Sequence, residues 1–445
     1  MPVTTHAEFL RLRGYATAVR RPGFVRTVAR TASFNVTSAV FAGVSGVLVA
    51  RVLGPTIRGE YAAITSWFSV LLMVGGIGQP AALCFYISRD PLRARDYVGT
   101  SRAMMMTTGA AALAIGLLIA PYLGHGRPAE VLGYRIAFGA SMVSFVGASY
   151  TFSLQARALT RWNLVLISQP LLSLTAIVIA WRLRLLTLDS AIAVLAATTL
   201  LQLCWAYYNC WRTGLVPGRV RKELLRPLAV YGMTQIAALT PAALNAQLDQ
   251  LVLSQTVPPA DLGRYAIAVS LTLLPIPLVA AIGNVAFPRL ASQQATAQQT
   301  MRLQWVAVAG SIGLAAGLLL PLAAVAYWLV PFIFGAAYRA AVPLLWILTP
   351  GAVFLACGQV VGDLLRGRSQ VSVVAWAQGL AAVFTVVLLI VLLPLVGVYG
   401  AAIASTVSYG VALAVMIRRL WRLPKHARGS APRPPVLSKR LAPER

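Results

Sequence analysis

The sequence predicts an all-α polytopic membrane protein of about twelve transmembrane helices, and three observations predict it. Hydrophobic residues fill 58% of the 445 positions and charged residues only 11%, whereas a soluble domain carries about 25% charged residues. Long stretches without Asp, Glu, Lys or Arg recur along the chain, and basic residues concentrate in every second connection between them. We expect two six-helix lobes related by a parallel pseudo-twofold axis, with a central cavity between the lobes.

The charge-free stretches are each long enough to cross a bilayer, whose core of about 30 Å needs a helix of about 20 apolar residues. Only helices or closed barrels satisfy the backbone in lipid, and these stretches lack the alternation of barrel strands, so helices are predicted. The last stretch holds two helices, divided at Pro394 and Gly397, which gives twelve spans. The stretches are 31–50, 61–88, 103–126, 136–156, 162–181, 190–211, 227–248, 265–288, 303–338, 340–362 and 369–417.

The distribution of basic residues predicts the orientation. With both termini in the cytoplasm, only eight of the 38 Lys and Arg residues fall in outer loops, as the positive-inside rule requires. We therefore predict a multi-pass protein of the bacterial inner (plasma) membrane. The net charge of +27 could also suggest nucleic-acid binding, but the basic residues lie at helix ends rather than on one polar face. No nucleic-acid partner is expected, and the basic tails are predicted to contact membrane lipids.

The second half of the chain resembles the first. Gly59-x-Tyr61-Ala62 recurs as Gly263-x-Tyr265-Ala266 at the same place in the topology. Because each half has six spans, both halves enter the membrane from the same side. Transporters built in this way bind the substrate between the halves and expose it to each side of the membrane in turn by a rocking motion of the halves. We divide the chain into a basic N-tail (1–30), an N-terminal lobe (31–211), a basic linker (212–226), a C-terminal lobe (227–421) and a basic C-tail (422–445) predicted to be disordered.

The sequence contains no recognisable set of catalytic residues. The three histidines, His6, His125 and His426, lie in tails or a loop, and the four cysteines have no metal-ligand spacing. No Ser-His-Asp, metal or phosphate-loop pattern occurs. We expect no enzyme activity, no metal site and no cofactor, and the identity of a coupling ion, H+ or Na+, stays open.

Polar residues within the spans are the candidates for a substrate cavity. Asn245 and Asp249 share a helical face, and intramembrane ionisable groups are functional by default; alternatively, Asp249 caps the outer end of its helix. An anionic cargo requires cations, and arginine suits diphosphate because its planar fork donates two hydrogen bonds. Headgroup anchoring is the alternative for each arginine, and helix–helix hydrogen bonding for each amide. The cavity candidates are Asn35, Arg51, Gln79, Arg135, Asn245, Asp249 and Arg289.

A gate is predicted at the duplicated turn. Glu60 and Arg264 occupy matching regions of the two halves and carry opposite charges. They could pair across the outer mouth when the molecule faces inward. Charge reversal of both residues should then restore transport that either single reversal abolishes.

Five motifs in order along residues 30–420 carry a family resemblance. They are Leu53-Gly54-Pro55 with Gly59-x-Tyr61-Ala62, Asn245-x-x-x-Asp249 with Leu262-Gly263-x-Tyr265, Phe287-Pro288-Arg289-Leu290, Phe334-Gly335-x-x-Tyr338, and Val396-Gly397-x-Tyr399-Gly400-Ala401-Ala402. The chain resembles the polysaccharide transporter, or O-antigen flippase, family of the multidrug/oligosaccharidyl-lipid/polysaccharide exporter (MOP) superfamily. The resemblance implies a flippase that moves undecaprenyl-diphosphate-linked oligosaccharide across the membrane for cell-surface polysaccharide biosynthesis, with polysaccharide assembly proteins as further partners.

Three other functions remain open at this point, one of which is a structural partner in a biosynthetic complex that docks through the basic tails. A multidrug or cation antiporter of the same superfamily should carry a deep carboxylate cluster in its first lobe, and none is evident in the sequence. A membrane enzyme of glycan assembly, a polymerase or a glycosyltransferase, would need a catalytic external loop, and all predicted outer loops are short.

Overall fold

The computed structural model describes residues 22–291, 297–368 and 370–422, with only the backbone at 22–29, 237–239, 241–242, 284–291 and 297. These residues form helices and no strands. The predicted tails fall almost entirely outside the described residues. The helices are α1 (Pro22–Gly75), α2 (Gln79–Arg89), α3 (Ala94–Leu123), α4 (Pro128–Arg157), α5 (Leu159–Arg182), α6 (Leu188–Arg212), α7 (Lys222–Asn245), α8 (Leu248–Thr256), α9 (Pro259–Thr272), α10 (Ile276–Ala291), α11 (Ala297–Phe334), α12 (Ala341–Gly367), α13 (Val371–Val396) and α14 (Val398–Arg422).

Most of these helices are candidate membrane spans. Within the described ranges, nine helices are long and apolar enough to cross a membrane, and the bent pair α9–α10 makes ten. The long α1 covers the first predicted span and most of the second, while α7 followed by α8 covers the predicted span 227–248. Each of the twelve predicted spans therefore corresponds to a helical segment.

Three predicted spans are broken where the sequence suggested continuous helices. The span 61–88 is interrupted between α1 and α2, where Ile77 and Gly78 take positive φ angles of 41° and 59°. The span 265–288 bends by 41° between α9 and α10, at the segment Pro275-Ile276-Pro277, because proline lacks the N–H that a helix needs. The span 227–248 ends α7 at Asn245 and starts α8 at Leu248.

The two lobes repeat one packing order, as a duplication predicts. We call α1–α6 the N-lobe and α7–α14 the C-lobe. In the N-lobe α1 packs on α5, α4 on α6, α3 on α4 and α2 on α4. In the C-lobe the equivalent pairs are α7 on α13, α12 on α14, α11 on α12 and α10 on α12. The two-lobe, pseudo-twofold architecture is thereby confirmed.

The apolar core joins the lobes broadly at one end of the molecule, whereas at the other end, among the described residues, only α7 packs into a cluster of the opposite lobe. We call the end that holds the turns near Gly54 and Pro258 the turn side, and the opposite end, where α1 begins and α14 ends, the tail side. On the turn side one buried cluster includes Phe138 of the N-lobe and Leu348 of the C-lobe. Toward the tail side it is replaced by one cluster within the C-lobe and another in the N-lobe. The N-lobe cluster also includes Leu228 near the start of α7.

Candidate functional site

The two repeated turns pack directly against each other across the lobes. Gly54 allows this on the N-lobe side, because its φ of 76° lies in the left-handed region and bends α1 just before Pro55. Gly59 and Gly263 are buried at the crossing, where a Cβ on Gly59 would overlap the carbonyl oxygen of Pro259, and a Cβ on Gly263 that of Pro55. The contact is reciprocal, as a pseudo-twofold relation requires.

Hydrogen bonds tie the turn-side end of the first segment of α1 to the C-lobe. The Arg51 guanidinium donates to the carbonyl oxygens of Phe332 and Ile333 at 3.0 and 3.1 Å. The Tyr338 hydroxyl, which is buried, donates to the carbonyl oxygen of Ala50 at 3.0 Å. The predicted cavity residue Arg51 therefore holds the lobes together in this structure.

Side-chain pairs continue this contact along the second segment of α1. The Ser66 hydroxyl donates to Gln250 Oε1 at 3.2 Å, and the Trp67 indole N–H donates to Ser254 Oγ at 3.1 Å. We call the glycine crossing and these interlobe hydrogen bonds the turn-side seam. Its polar contacts can be exchanged for water as the lobes part, so the seam can open without exposing unpaired groups.

The predicted gate residues both lie beside the seam. Arg264 Nη1 is 2.8 Å from Asp261 Oδ1, and Arg127 Nη1 is 2.7 Å from Glu130 Oε1 and 4.0 Å from Glu60 Oε1. The described residues form no Glu60–Arg264 ion pair, although the seam is closed. Each of the two charges has an oppositely charged neighbour within its own lobe. The gate pair stays a prediction, tested by the double charge reversal.

A buried polar cluster lies inside the C-lobe. Asp249, which is 3% exposed, accepts hydrogen bonds from the Tyr265 hydroxyl at 2.5 Å and the Ser405 hydroxyl at 3.1 Å. Asn245 Oδ1 accepts from the Thr385 hydroxyl at 2.8 Å. We call these five residues the C-lobe polar cluster. It brings together α7, α8, α9, α13 and α14. Asn245 ends α7 and Asp249 lies on α8, so the two residues predicted to share one helical face belong to two helices and bind different hydroxyls of the cluster.

The chemistry of the C-lobe polar cluster suits a proton or a small cation. Among the described residues no Lys, Arg or His lies within 4.0 Å of Asp249, and Asn245 Nδ2 is buried without a partner. A buried carboxylate without a basic partner is stabilised by a bound proton or cation. Among the described residues, no three His, Cys, Asp or Glu side chains lie close enough together to hold a metal ion. The other oxygen ligands of a cation at Asp249 would therefore be hydroxyls and amides. Asp249 also lies in the first turn of α8 and accepts the Gln250 N–H at 2.7 Å.

Gln79 belongs to a contact between α7 and the N-lobe near the tail side. Its side chain accepts from Ser101 Oγ at 3.1 Å and donates to the carbonyl oxygen of Leu228 at 3.4 Å. Arg221 of the linker is 3.2 Å from Asp96 at the start of α3. These contacts fix the beginning of α7 to the N-lobe, so the structure gives Gln79 a packing role.

The remaining predicted residues are dispersed. Asn35, in the first segment of α1, and Arg135, on α4, are exposed, and neither has a hydrogen bond or ion pair with another described residue. Arg289 lies on α10, where side chains are outside the described set. The structure therefore does not bring all seven cavity candidates into one site.

Arg58 is a half-buried cation that the sequence placed in a predicted outer loop. Its Nε atom is buried without a hydrogen-bond partner, and its guanidinium lies 5.7 Å from the centroid of the Tyr61 ring. The signal was present in the repeat: Arg58 precedes Gly59, whereas the residue that precedes Gly263 is the apolar Leu262.

Comparison with solved structures identifies the fold as that of the MOP transporters. The lipid II flippase MurJ, in an inward closed conformation, matches with a TM-score of 0.74 and 11% identity over 88% of both chains. An inward-facing MATE-family multidrug resistance transporter matches with a TM-score of 0.72 and 14% identity, over 86% of this chain and 94% of its own. A MOP-superfamily transporter from Pyrococcus furiosus matches with a TM-score of 0.61 and 13% identity, over 89% and 95%. At these identities the likeness is one of fold.

The family follows from the sequence itself. Residues 24–294, more than half of the chain, match the family model described as polysaccharide biosynthesis protein. The chain belongs to this family. No curated protein matches it significantly.

Proposed function

We propose that this protein translocates a lipid-linked glycan across the inner membrane by alternating access, with an undecaprenyl-diphosphate-linked oligosaccharide as the substrate. Family membership supports the glycan, and the fold supports transport. With both termini in the cytoplasm, the tail side faces the cytoplasm, where such a substrate is assembled.

The observation that carries this proposal is that the apolar packing between the two lobes is concentrated on the turn side. The lobes share apolar packing on the turn side and have separate cores toward the tail side, where α7 alone is fixed to the other lobe. We infer that the lobes are closed on the turn side and can part on the tail side, which would be one end state of a rocking cycle. A lipid-linked sugar could enter between the parted tail-side segments, beside the exposed Asn35.

We further propose that the C-lobe polar cluster couples transport to H+ or Na+. Tyr265 and Ser405 approach Asp249 from α9 and α14, so cluster geometry changes if these helices shift. Binding and release of a cation at Asp249 would then favour different lobe arrangements.

A multidrug or cation antiporter is the nearest rival, because MATE transporters share the fold. In the described N-lobe, Asp90, Asp96, Glu130 and Asp189 lie at or near helix ends, and the fifth carboxylate, Glu60, follows the bend of α1 at Gly54. The buried carboxylate Glu130 is ion-paired with Arg127 at 2.7 Å, and Arg58 adds a half-buried cation to that lobe. This polarity disfavours cation binding there. A membrane enzyme has less support, because the described residues contain no catalytic constellation.

Reconstitution tests the proposal. Purified protein in liposomes should move a fluorescent undecaprenyl-diphosphate oligosaccharide to the opposite leaflet, measured as loss of protection from a membrane-impermeant quencher. Asp249→Asn should fold and bind but lose the response to an imposed H+ or Na+ gradient, whereas Thr256→Ser, exposed at the end of α8, should behave as wild type. Gradient-driven efflux of an organic cation with no glycan movement would instead establish the antiporter. Gradient-independent translocation by wild type would overturn the coupling role alone.

A further inference from the structure

The N-lobe has a half-open cavity of its own, lined by both apolar and polar side chains. A cavity of about 260 Å³ lies between both segments of α1 and helices α5 and α6. Its polar lining consists of Ser45, Arg58, Tyr61, Gln169, Ser173 and Thr198. We call this cavity the N-lobe chamber. It lies within one lobe, apart from the space between lobes that a lipid-linked glycan would use.

Arg58 brings an uncompensated positive charge to this chamber. In the described part of the chain, no carboxylate lies within 4.0 Å of its guanidinium and no hydrogen bond joins it to another residue. The nearest electronic partner is the Tyr61 ring at 5.7 Å, which stabilises a cation only modestly. Arg58 is half-buried, and its buried Nε atom has no hydrogen-bond partner, which is costly, so a ligand that supplies negative charge would stabilise it.

Other polar groups of the chamber can donate hydrogen bonds to a ligand. Within the described residues, the Tyr61 and Ser173 hydroxyls have no hydrogen-bond partner, so both can donate to a ligand. Thr198 already donates to the carbonyl oxygen of Val194 at 2.7 Å. Together with the N–H groups of Arg58, these hydroxyls form a set of donors with no carboxylate among them.

Comparison of the two lobes shows that the chamber has the opposite polarity to the C-lobe polar cluster. At equal spacing before the repeated glycine, the N-lobe has Ser45 where the C-lobe has Asp249. Directly before that glycine, the N-lobe has Arg58 where the C-lobe has Leu262. The repeat therefore places an anionic group in one lobe and a cationic group in the equivalent region of the other.

We propose that the N-lobe chamber is a binding site for one small inorganic anion, of the chloride or phosphate class, held by Arg58 with the Tyr61 and Ser173 hydroxyls. The planar fork of arginine suits an oxyanion and its charge suits a halide. The site is separate from glycan binding and does not depend on the proposed function.

Thermal unfolding of the purified full-length protein in maltoside micelles tests this site, because that detergent contains no phosphate. At constant ionic strength, replacing gluconate by chloride, bromide or inorganic phosphate should raise the unfolding midpoint by about 2–4 °C. Arg58→Gln should lose this response. It should also be at least as stable as wild type in gluconate, because the unpaired charge is gone. The matched control is Arg182→Gln, which removes an exposed arginine at the end of α5 and should respond like wild type.

Two further experiments test whether the anion binds in the N-lobe chamber. Crystals grown in bromide should show an anomalous peak beside the Arg58 guanidinium, which tests the site even if Arg58→Gln fails to fold. Phosphatidylglycerol added to the micelles without free anion tests the alternative source of phosphate. Stabilisation by this lipid and by none of the free anions would overturn the proposal. So would an equal anion response in Arg58→Gln, or a bromide map without a peak in the chamber.

Discussion

At the scale of single residues, the C-lobe polar cluster depends most on the hydrogen bond between Tyr265 and Asp249. Both side chains are buried, and their 2.5 Å contact is the shortest that Asp249 makes. Removing a donor from a buried acceptor costs the desolvation of that acceptor, whereas removing an unpartnered hydroxyl costs little. The repeat supplies the comparison, because Tyr61 occupies the equivalent position without a carboxylate partner.

Tyr265→Phe should therefore lower the free energy of unfolding by about 1–3 kcal/mol, and Tyr61→Phe by clearly less, because it keeps the ring below Arg58. Unfolding by SDS titration of the purified protein in mixed micelles measures both. Equal losses in the free energy of unfolding for the two substitutions would show that the Tyr265–Asp249 hydrogen bond does not add to the stability of the protein.

Part of the C-lobe polar cluster was predictable from sequence, and part was not. Asn245 and Asp249 stood out because polar groups inside an apolar span are expensive and their spacing places them on one face. Thr385 and Ser405 come from helices more than a hundred positions further along, so only the fold brings them there. Arg58 was missed because, in sequence, an arginine beside a turn is indistinguishable from a headgroup anchor.

At the scale of helices, the crossing of α1 and α9 is the contact that sets how the lobes meet. Both Gly59 and Gly263 face backbone rather than a flexible side chain, so a methyl group at either position can be accommodated only by moving a helix. The charge-free intervals correctly located the helices. They could not show the breaks near Ile77 or Asn245, because hydropathy averages over a span and is insensitive to local φ and ψ angles.

Gly59→Ala and Gly263→Ala should each destabilise the closed seam by about 1–3 kcal/mol, the usual cost of overpacking. Gly379→Ala on α13 is the matched control, because a Cβ there meets nothing within 4 Å, and it should be neutral or slightly stabilising through helix propensity. Labelling of a cysteine placed at Ser66 by a membrane-impermeant maleimide reports seam opening. Faster labelling is expected with the first two substitutions, and unchanged labelling in both would contradict the assigned role of the crossing.

At the scale of the whole molecule, the two lobes behave as separate bodies joined at the turn-side seam and at the start of α7. The glycine packing and hydrogen bonds of the seam lie beside one apolar cluster shared by both lobes, whereas toward the tail side each lobe has its own apolar core. Interfaces of this kind allow rigid-body rocking, because the lobes keep their internal packing while the seam opens. Transport by this protein should therefore require the seam to part in every cycle.

Locking the seam tests this requirement most directly. In a background with Cys84, Cys204, Cys210 and Cys357 replaced by alanine, Ser66→Cys and Gln250→Cys would be joined by a short reducible cross-linker across the lobes. The matched control joins Gln370→Cys to Arg419→Cys, a pair within the C-lobe whose native side chains are 3.2 Å apart. Glycan translocation in liposomes should fall to the level of protein-free vesicles in the seam-locked protein, return on reduction, and persist in the control. Translocation at the unlocked rate through a fully cross-linked seam would contradict alternating access.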